Sequence, residues 1–324
     1  MPRAATTERP AASFEEHTMN GYSTSAMKRT TPSELLIRQR LAAVTRGLPG
    51  AQSGDVNSLH QTRVATRRLR EALPLVASGS RGRKLEKTVR RLTRALGPVR
   101  ELDVALLTLE EFEGLEDVPR TAIAKLRQVV TEERRLLHDE MCRLVGKVDL
   151  DKLQTRAVEA ARKTRAPGHA GHTDPARLAA ADQRSARRAV ALRAAIDNAS
   201  SIYLADRLHE VRIAVKKLRY GMEIARELRR SHATARIRTL KEAQDLLGRM
   251  HDLEILIART RAVQGASSAP NLRLSAHLDR LVRRLENECR QLHGQYMASR
   301  NKLVAICDYV ENAAERRGGT ASAA

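Results

Sequence analysis

Tryptophan is absent from this chain, and phenylalanine and tyrosine make up only 2% of its 324 residues. Sandwiches and barrels of β-strands lean on aromatic and β-branched residues, so the shortage argues against a β fold. With five Tyr and two Phe, nucleobases would also find few rings on which to stack. Cysteine is scarce too. Cys142, Cys289 and Cys307 are odd in number and lack C-x-x-C spacing, which reads as reduced thiols in a cytosolic protein, not a disulfide framework. No apolar run approaches the ~18 residues of a membrane span, and no compact apolar segment near Met1 reads as a secretory signal. Acidic side chains are the last shortage: 38 Asp and Glu against 59 Lys and Arg leave a formal charge of +21. An excess of that size attracts polyanions by default.

What the chain does have is helical periodicity. Hydrophobic residues are 42% of the total, recur at spacings of three and four, and are broken by Gly, Pro and Asp clusters, with no alternating run long enough for a strand. Helices are predicted over Ser33–Arg46, Asp55–Val76, Lys84–Phe112, Val118–Val148, Leu150–Lys163, Arg177–Ala199, Ala205–Arg230, Ala233–Val263 and Asn271 to about Ala313. The reading is all-α. Residues 1–31 and 315–324 read as disordered, and the Pro- and Gly-rich stretch 164–177 as a linker. That linker separates a first four-helix bundle with a connector helix, 32–163, from a second, 178–314.

The two halves resemble each other. "SLHQTRVATRRLREAL" from Ser58 and "RLHEVRIAVKKLRYGM" from Arg207 match at an offset of 149 residues. Leu59, His60, Arg63, Ala65, Leu69 and Arg70 recur as Leu208, His209, Arg212, Ala214, Leu218 and Arg219, while Arg67 and Arg68 become Lys216 and Lys217. A second pair, "ALGPVRELDVALL" from Ala95 and "LLGRMHDLEILIA" from Leu246, matches at an offset of 151. The expected architecture is two pseudo-symmetric four-helix bundles with long antiparallel helices around a basic central groove.

At about 100° per residue, His60, Arg63, Arg67 and Arg70 fall on one helix face and Ala65, Leu69 and Leu73 on another. His209, Arg212, Lys216 and Arg219 do the same in the second copy, with Arg68 and Lys217 at the edge of each stripe. Spacing of three, four and three places a cation about 5 Å further along the axis at each turn. Such a row repels itself, and a chain of anionic groups laid along it reverses the sign. Lys84, Lys87, Arg91 and Arg94 repeat the spacing on the next helix. Their counterparts are thinner: Arg238 and Lys241 remain, but Glu242 and Asp245 align with Arg91 and Arg94. One such stripe alone is an ordinary solvated face. Its duplication, with the sign of charge kept while Gln61/Glu210 and Thr66/Val215 diverged, points to a site. No second histidine stands one turn from His60 or His209, so a metal site is not read. Arg100, Glu101 and Asp103, with His251, Asp252 and Glu254, read as salt-bridging residues and not as chemistry.

The motifs "LHQTRVATRRLR" and "LHEVRIAVKKLRY", followed by "LGPVRELDV" and "LGRMHDLEI", resemble the CHAD domain, the conserved histidine α-helical domain, from about Ser33 to the end of the last helix. The resemblance implies paired helical bundles around a basic groove that binds inorganic polyphosphate. Members occur alone or joined to a triphosphate-tunnel catalytic domain, whose E-x-E-x-K signature is missing here, since "EFEGL" at Glu111 lacks the lysine. Carried onto this sequence, His60, Arg63, Arg67, Arg70, His209, Arg212, Lys216 and Arg219 would face the ligand. The expected activity is binding without turnover and without a cofactor, in the cytoplasm, with polyphosphate granules as a location. Affinity should fall with salt and rise below about pH 6.5 as the histidines protonate. A nucleic-acid backbone is the alternative ligand. A metal-dependent phosphohydrolase, for which Glu101, Asp103, Asp252 and Glu254 would be the carboxylates, is the third reading.

Overall fold

The computed structural model describes residues 31–77, 79–163, 175–199, 201–229, 231–232, 234–266 and 271–322. Among these the chain is all-α, with no strand. The helices are α1 (Pro32–Gln52), α2 (Val56–Val76), α3 (Gly79–Phe112), α4 (Arg120–Gly146), α5 (Leu150–Lys163), α6 (Pro175–Asn198), α7 (Ala205–Arg229), α8 (Ala235–Gly265) and α9 (Leu272–Ser322). Local chemistry sets their starts. Thr31 Oγ1 accepts from Glu34 N at 3.2 Å with Pro32 following, and Asp55 Oδ1 accepts from Ser58 N at 2.7 Å. Gly54 and Gly114, at φ +89° and +88°, take the left-handed turns after α1 and α3.

Three boundaries differ from the sequence reading by more than two residues. α1 continues past Arg46 through Gly47, Pro49 and Gly50. A methyl group on Gly47 would collide with Thr62 Oγ1 and one on Gly50 with Ser58 Oγ, so close packing on α2 overrides poor helix propensity there. α3 starts at Gly79 instead of Lys84. α9 continues through residues 315–322, where a disordered tail is expected, because Ala, Glu and Arg at 313–317 prolong a helix without needing new packing. The predicted disorder at 1–30 and linker residues 164–174 lie outside the described residues, while the last three linker residues open α6 with Pro175 in its first turn.

In the second half α6, α7, α8 and α9 pack in chain order and α9 closes back on α6. In the first half α1, α2, α3 and α4 also follow chain order, but α1 and α4 scarcely meet, and α5 lies on α1 and α3. One core joins α1, α2, α3 and α5 through Ile37, Leu69, Leu73, Leu92 and Ala157. A second joins Leu192, Ile196, Val211, Leu218, Leu240 and Leu303. The third crosses between the halves: Leu109, Phe112, Ile123 and Leu126 of the α3–α4 hairpin pack against Leu253, Leu256, Leu281 and Leu285 of the α8–α9 hairpin. Each such buried side chain contributes about 2 kcal/mol, and this shared core fixes the two halves relative to each other. Ile224, Ala225 and Leu228 of α7 extend into the first core and fix them again at the opposite end.

Candidate functional site

Between those two fixed points α2 meets α7, with the repeated stripes turned toward each other. Both helices have the same reason to present them. Leu59, Leu69 and Leu73, like Leu208, Val211 and Leu218, go into the cores, which leaves the three-four-three positions facing the other half. Arg63, Arg67, Arg212 and Lys216 are all half-buried, and among the described residues none of them forms an ion pair. Among the described residues Arg63 Nη1 donates to the Thr93 carbonyl, at 3.2 Å. The Tyr220 hydroxyl lies close to Arg67. Arg212 Nε is buried with no hydrogen-bond partner.

Gathering unpaired cations in a half-buried cleft makes each one harder to charge. Burial, then Arg67, Arg212, Arg63 and Arg70, pushes the Lys216 ammonium down to about 7. Burial, then Arg67 and Arg212, lowers even the Arg63 guanidinium to about 10. His60 is held below its ordinary value by burial and then by Arg100, Arg67 and Arg63, and His209 by burial and then by Arg212 and Lys216. Both histidines are therefore harder to protonate than a free imidazole, and Lys216, pushed down to about 7, is the group through which the groove responds near neutral pH.

Not every residue of the predicted stripes is free for a ligand. Arg219 is buried, paired with Glu223 and donating to Gln244 Oε1 at 3.0 Å, with its guanidinium over the Tyr220 ring. Arg68 sits 3.7 Å from the same Glu223, and Arg70 3.8 Å from Glu71, which also holds Arg184 and Arg188. Lys217 is exposed. The α3 row departs from the shared groove. Lys84, Arg91 and Arg94 line a separate cavity against α5, and Lys87 is exposed. The reason is register. The groove-facing line of α3 runs through Thr93, Gly97 and Arg100, so helical spacing puts Arg90, not Arg91, on that line. In α8, Arg238 is exposed and Lys241 pairs with Asp245 at 2.6 Å.

Sequence reasoning missed the groove's other wall. Arg100 lies near enough to His60 to hold its pKa down, and its repeat counterpart His251 packs on His209 with ring centroids 4.4 Å apart and Nδ1 atoms 3.2 Å apart. His251 falls to about 4 through burial, then Arg212, His209 and Lys216. Asp252 is the groove's acid. Burial raises its pKa, while Arg212, Arg100 and Arg249 oppose the rise. The neighbouring carboxylates are engaged elsewhere: Asp103 with Arg134, Glu101 with Arg259, and Glu254 with Tyr203. Two glycines, present in both "LG" motifs, explain how the arginines fit. A Cβ on Gly97 would lie 3.2 Å from Arg63 Nη1, and one on Gly248 3.9 Å from Arg212 Nε. Among the described residues no group of three or more His, Cys, Asp or Glu is arranged to hold a metal ion, and no helix is long and apolar enough to cross a membrane.

The family model of the CHAD domain matches residues 35–261 of this chain. The crystal structure of the CHAD domain from the plant Ricinus communis is similar with a TM-score of 0.62 and 20% identity, covering 85% of this chain and 93% of that one. PptA from Streptomyces chartreusis is similar with a TM-score of 0.54 and 16% identity, covering 89% of this chain and 99% of that one. No curated protein matches the sequence.

Proposed function

This chain belongs to the CHAD-domain family, and from that premise we propose that it binds inorganic polyphosphate, without turnover, in the groove between α2 and α7. The observation that carries the reading is the set of half-buried cations without carboxylate partners among the described residues: Arg63, Arg67 and Arg100 from one half, Arg212 and Lys216 from the other. A fold that brings like charges together at the expense of its own stability is built for a counter-charge. A linear polymer of phosphates supplies it at regular intervals. Arginine grips phosphate oxygens with paired N–H donors, while lysine acts as a compact charge. The histidines add ring N–H donors.

Two features favour this ligand over nucleic acid. Tyr220, the one aromatic within the stripes, is 6% exposed beneath Arg219 and offers no face to a base. The trough is walled on both sides by helices, whereas a duplex needs an open surface. The site is also read as non-catalytic: phosphoryl transfer calls for a metal-binding carboxylate set or an activated nucleophile, and Glu101 and Glu254, the carboxylates on either side of Asp252 in this region, are held by Arg259 and Tyr203. Binding of this kind would hold the protein on polyphosphate granules.

Calorimetry with polyphosphate of defined lengths tests the proposal. Each charge-assisted contact is worth roughly 1.5–3 kcal/mol, so Arg63→Ala with Arg212→Ala should weaken binding about 100-fold or more. Equal displacement by duplex DNA at matched phosphate concentration, or phosphate release with magnesium or manganese present, would overturn it.

A further inference from the structure

A large cavity lies away from the groove, where α5 turns from α4 to lie on α1 and α3. Its volume is about 1070 Å³. Arg81, Lys84, Arg91 and Arg94 of α3 form one wall. Lys147, Lys152 and Arg156 form the facing wall. Among the described residues none of these cations is in an ion pair, and Asp149 and Glu159 are the only acids on the lining. The floor between the walls is aliphatic: Leu85, Ala95, Leu144, Val148, Leu153 and Ala160. Leu144 keeps 40% of its surface exposed there.

The cavity is not a copy of the repeated site. Glu242 and Asp245 occupy the positions in α8 that correspond to Arg91 and Arg94, so its basic character belongs to the first half alone. The lining also says what fits. No aromatic residue is there to stack on a base, and a bare polyphosphate has no use for an aliphatic floor. The size stands at the upper end of the usual 300–1,000 Å³ of small-molecule pockets. A cylinder of α-helix about 10 Å across would fill this volume over about nine residues, two and a half turns. An aliphatic floor between cationic rims complements a helix with leucine-type residues along one stripe and carboxylates on both flanks.

We infer that this cavity is a docking groove for an acidic amphipathic helix of a partner protein. Two or three anchors at i, i+3 or i+4 and i+7 sit over Leu144 and the part-exposed Val148 and Ala160, with Leu85 and Leu153 buried beneath them, and flanking glutamates or aspartates meet the cations of α3 and α5. The site is separate from the polyanion groove, so both can be occupied at once.

The probe is a fluorescein-labelled synthetic peptide of about 14 residues, long enough for partial helicity, with leucines at helical spacing and glutamates elsewhere, titrated into the full chain. A second peptide has the same composition with the leucine stripe scrambled. Expected results are affinity at least tenfold higher for the amphipathic order, at least tenfold loss with Lys84→Glu plus Arg91→Glu, and similar loss with Leu144→Glu. These side chains are exposed, so circular dichroism melts should be unchanged. Arg63→Ala with Arg212→Ala should leave peptide binding as it was. Equal binding of the scrambled peptide, loss that follows Arg63 and Arg212 instead of Lys84 and Arg91, or displacement by dodecyl phosphate at stoichiometric concentration would each overturn the inference.

Discussion

Lys216 makes the polyanion groove testable through protons. In the empty protein its ammonium is held at about 7, down from 10.5, by burial and then by Arg67, Arg212, Arg63 and Arg70. A polyphosphate chain placed among those cations cancels the repulsion, so in the complex Lys216 returns toward its ordinary value. The folded, empty pKa is the depressed one, and a ligand that favours the charged form must therefore bring a proton with it above pH 7. At pH 8 the empty site is about 10% protonated, so binding should take up about 0.9 proton at Lys216. Full recovery to 10.5 makes the association constant fall about 50-fold between pH 7 and 9, about 2.3 kcal/mol. The window above pH 7 lies clear of the groove histidines, whose ordinary value is 6.5 and which are all shifted downward in the empty protein. The assay is calorimetry with long-chain polyphosphate, whose few chain ends titrate little, in buffers of different ionisation enthalpy at constant ionic strength. Lys216→Arg, which stays charged throughout, should bind with no proton uptake and a flat profile. Uptake below about 0.2 proton at pH 8 in the wild-type protein, or an unchanged slope in Lys216→Arg, would refute the electrostatic account of the groove.

Removing a strained charge should also help the empty fold. Lys216→Met should raise the melting temperature by about 2 °C or more at low salt, and the gain should vanish when polyphosphate is present to stabilise the wild type. The two glycines should behave differently. Gly97→Ala pushes on Arg63 at 3.2 Å and should lower affinity several-fold, while Gly248→Ala meets Arg212 at an ordinary 3.9 Å and should not; Gly248→Ala should gain about 0.5–1 kcal/mol of helix stability in denaturant melts, and Gly97→Ala less, because Pro98 follows it in α3. Asp103, whose side chain is fully buried against Arg134 at 2.6 Å, is a structural partner. Asp103→Ala should cost about 3–5 kcal/mol in chemical unfolding, with groove affinity unchanged in the fraction that remains folded.

Periodicity carried most of the fold because long amphipathic helices have one dominant signal, and the helix starts agree with it wherever a capping side chain such as Asp55 is present. The facing of His60, Arg63 and Arg67 toward Arg212 and Lys216 was legible for the same reason: in each copy the apolar positions leave one face, and the repeat says that face is shared. The Arg219–Glu223 pair lay in plain view as an i,i+4 spacing, yet the stripe was read for its cations alone. Other features needed three dimensions. In α3 both Arg90 and Arg91 satisfy a basic spacing, and only the contact of Arg63 with Gly97 and Thr93 shows which line faces the groove. Arg100 and His251 occupy equivalent positions with different chemistry, so matching by residue type could not pair them. The core formed by the α3–α4 and α8–α9 hairpins was hidden because leucine periodicity shows that a face is buried without showing which helix covers it.

Two glutamates, one from each half, set the length of the groove. Glu223 takes up Arg219 and Arg68, and Glu71 takes up Arg70, Arg184 and Arg188. The cations left unpaired on α2 and α7 then span His60 to Arg67 and His209 to Lys216, about two turns or 10 Å of axis. Beyond that point the same stripe becomes an inter-half clasp in which each cation already has its counter-charge. The asymmetry has a physical logic. Cations without partners push the halves apart, and cations shared with a carboxylate of the other half, as Arg68 is with Glu223, pull them together. A groove that was cationic along its whole length would lose that clasp, while one neutralised throughout would have nothing to offer a polyanion. Dividing one repeated stripe between the two tasks lets the empty protein hold its shape while keeping a short, unneutralised stretch for the ligand.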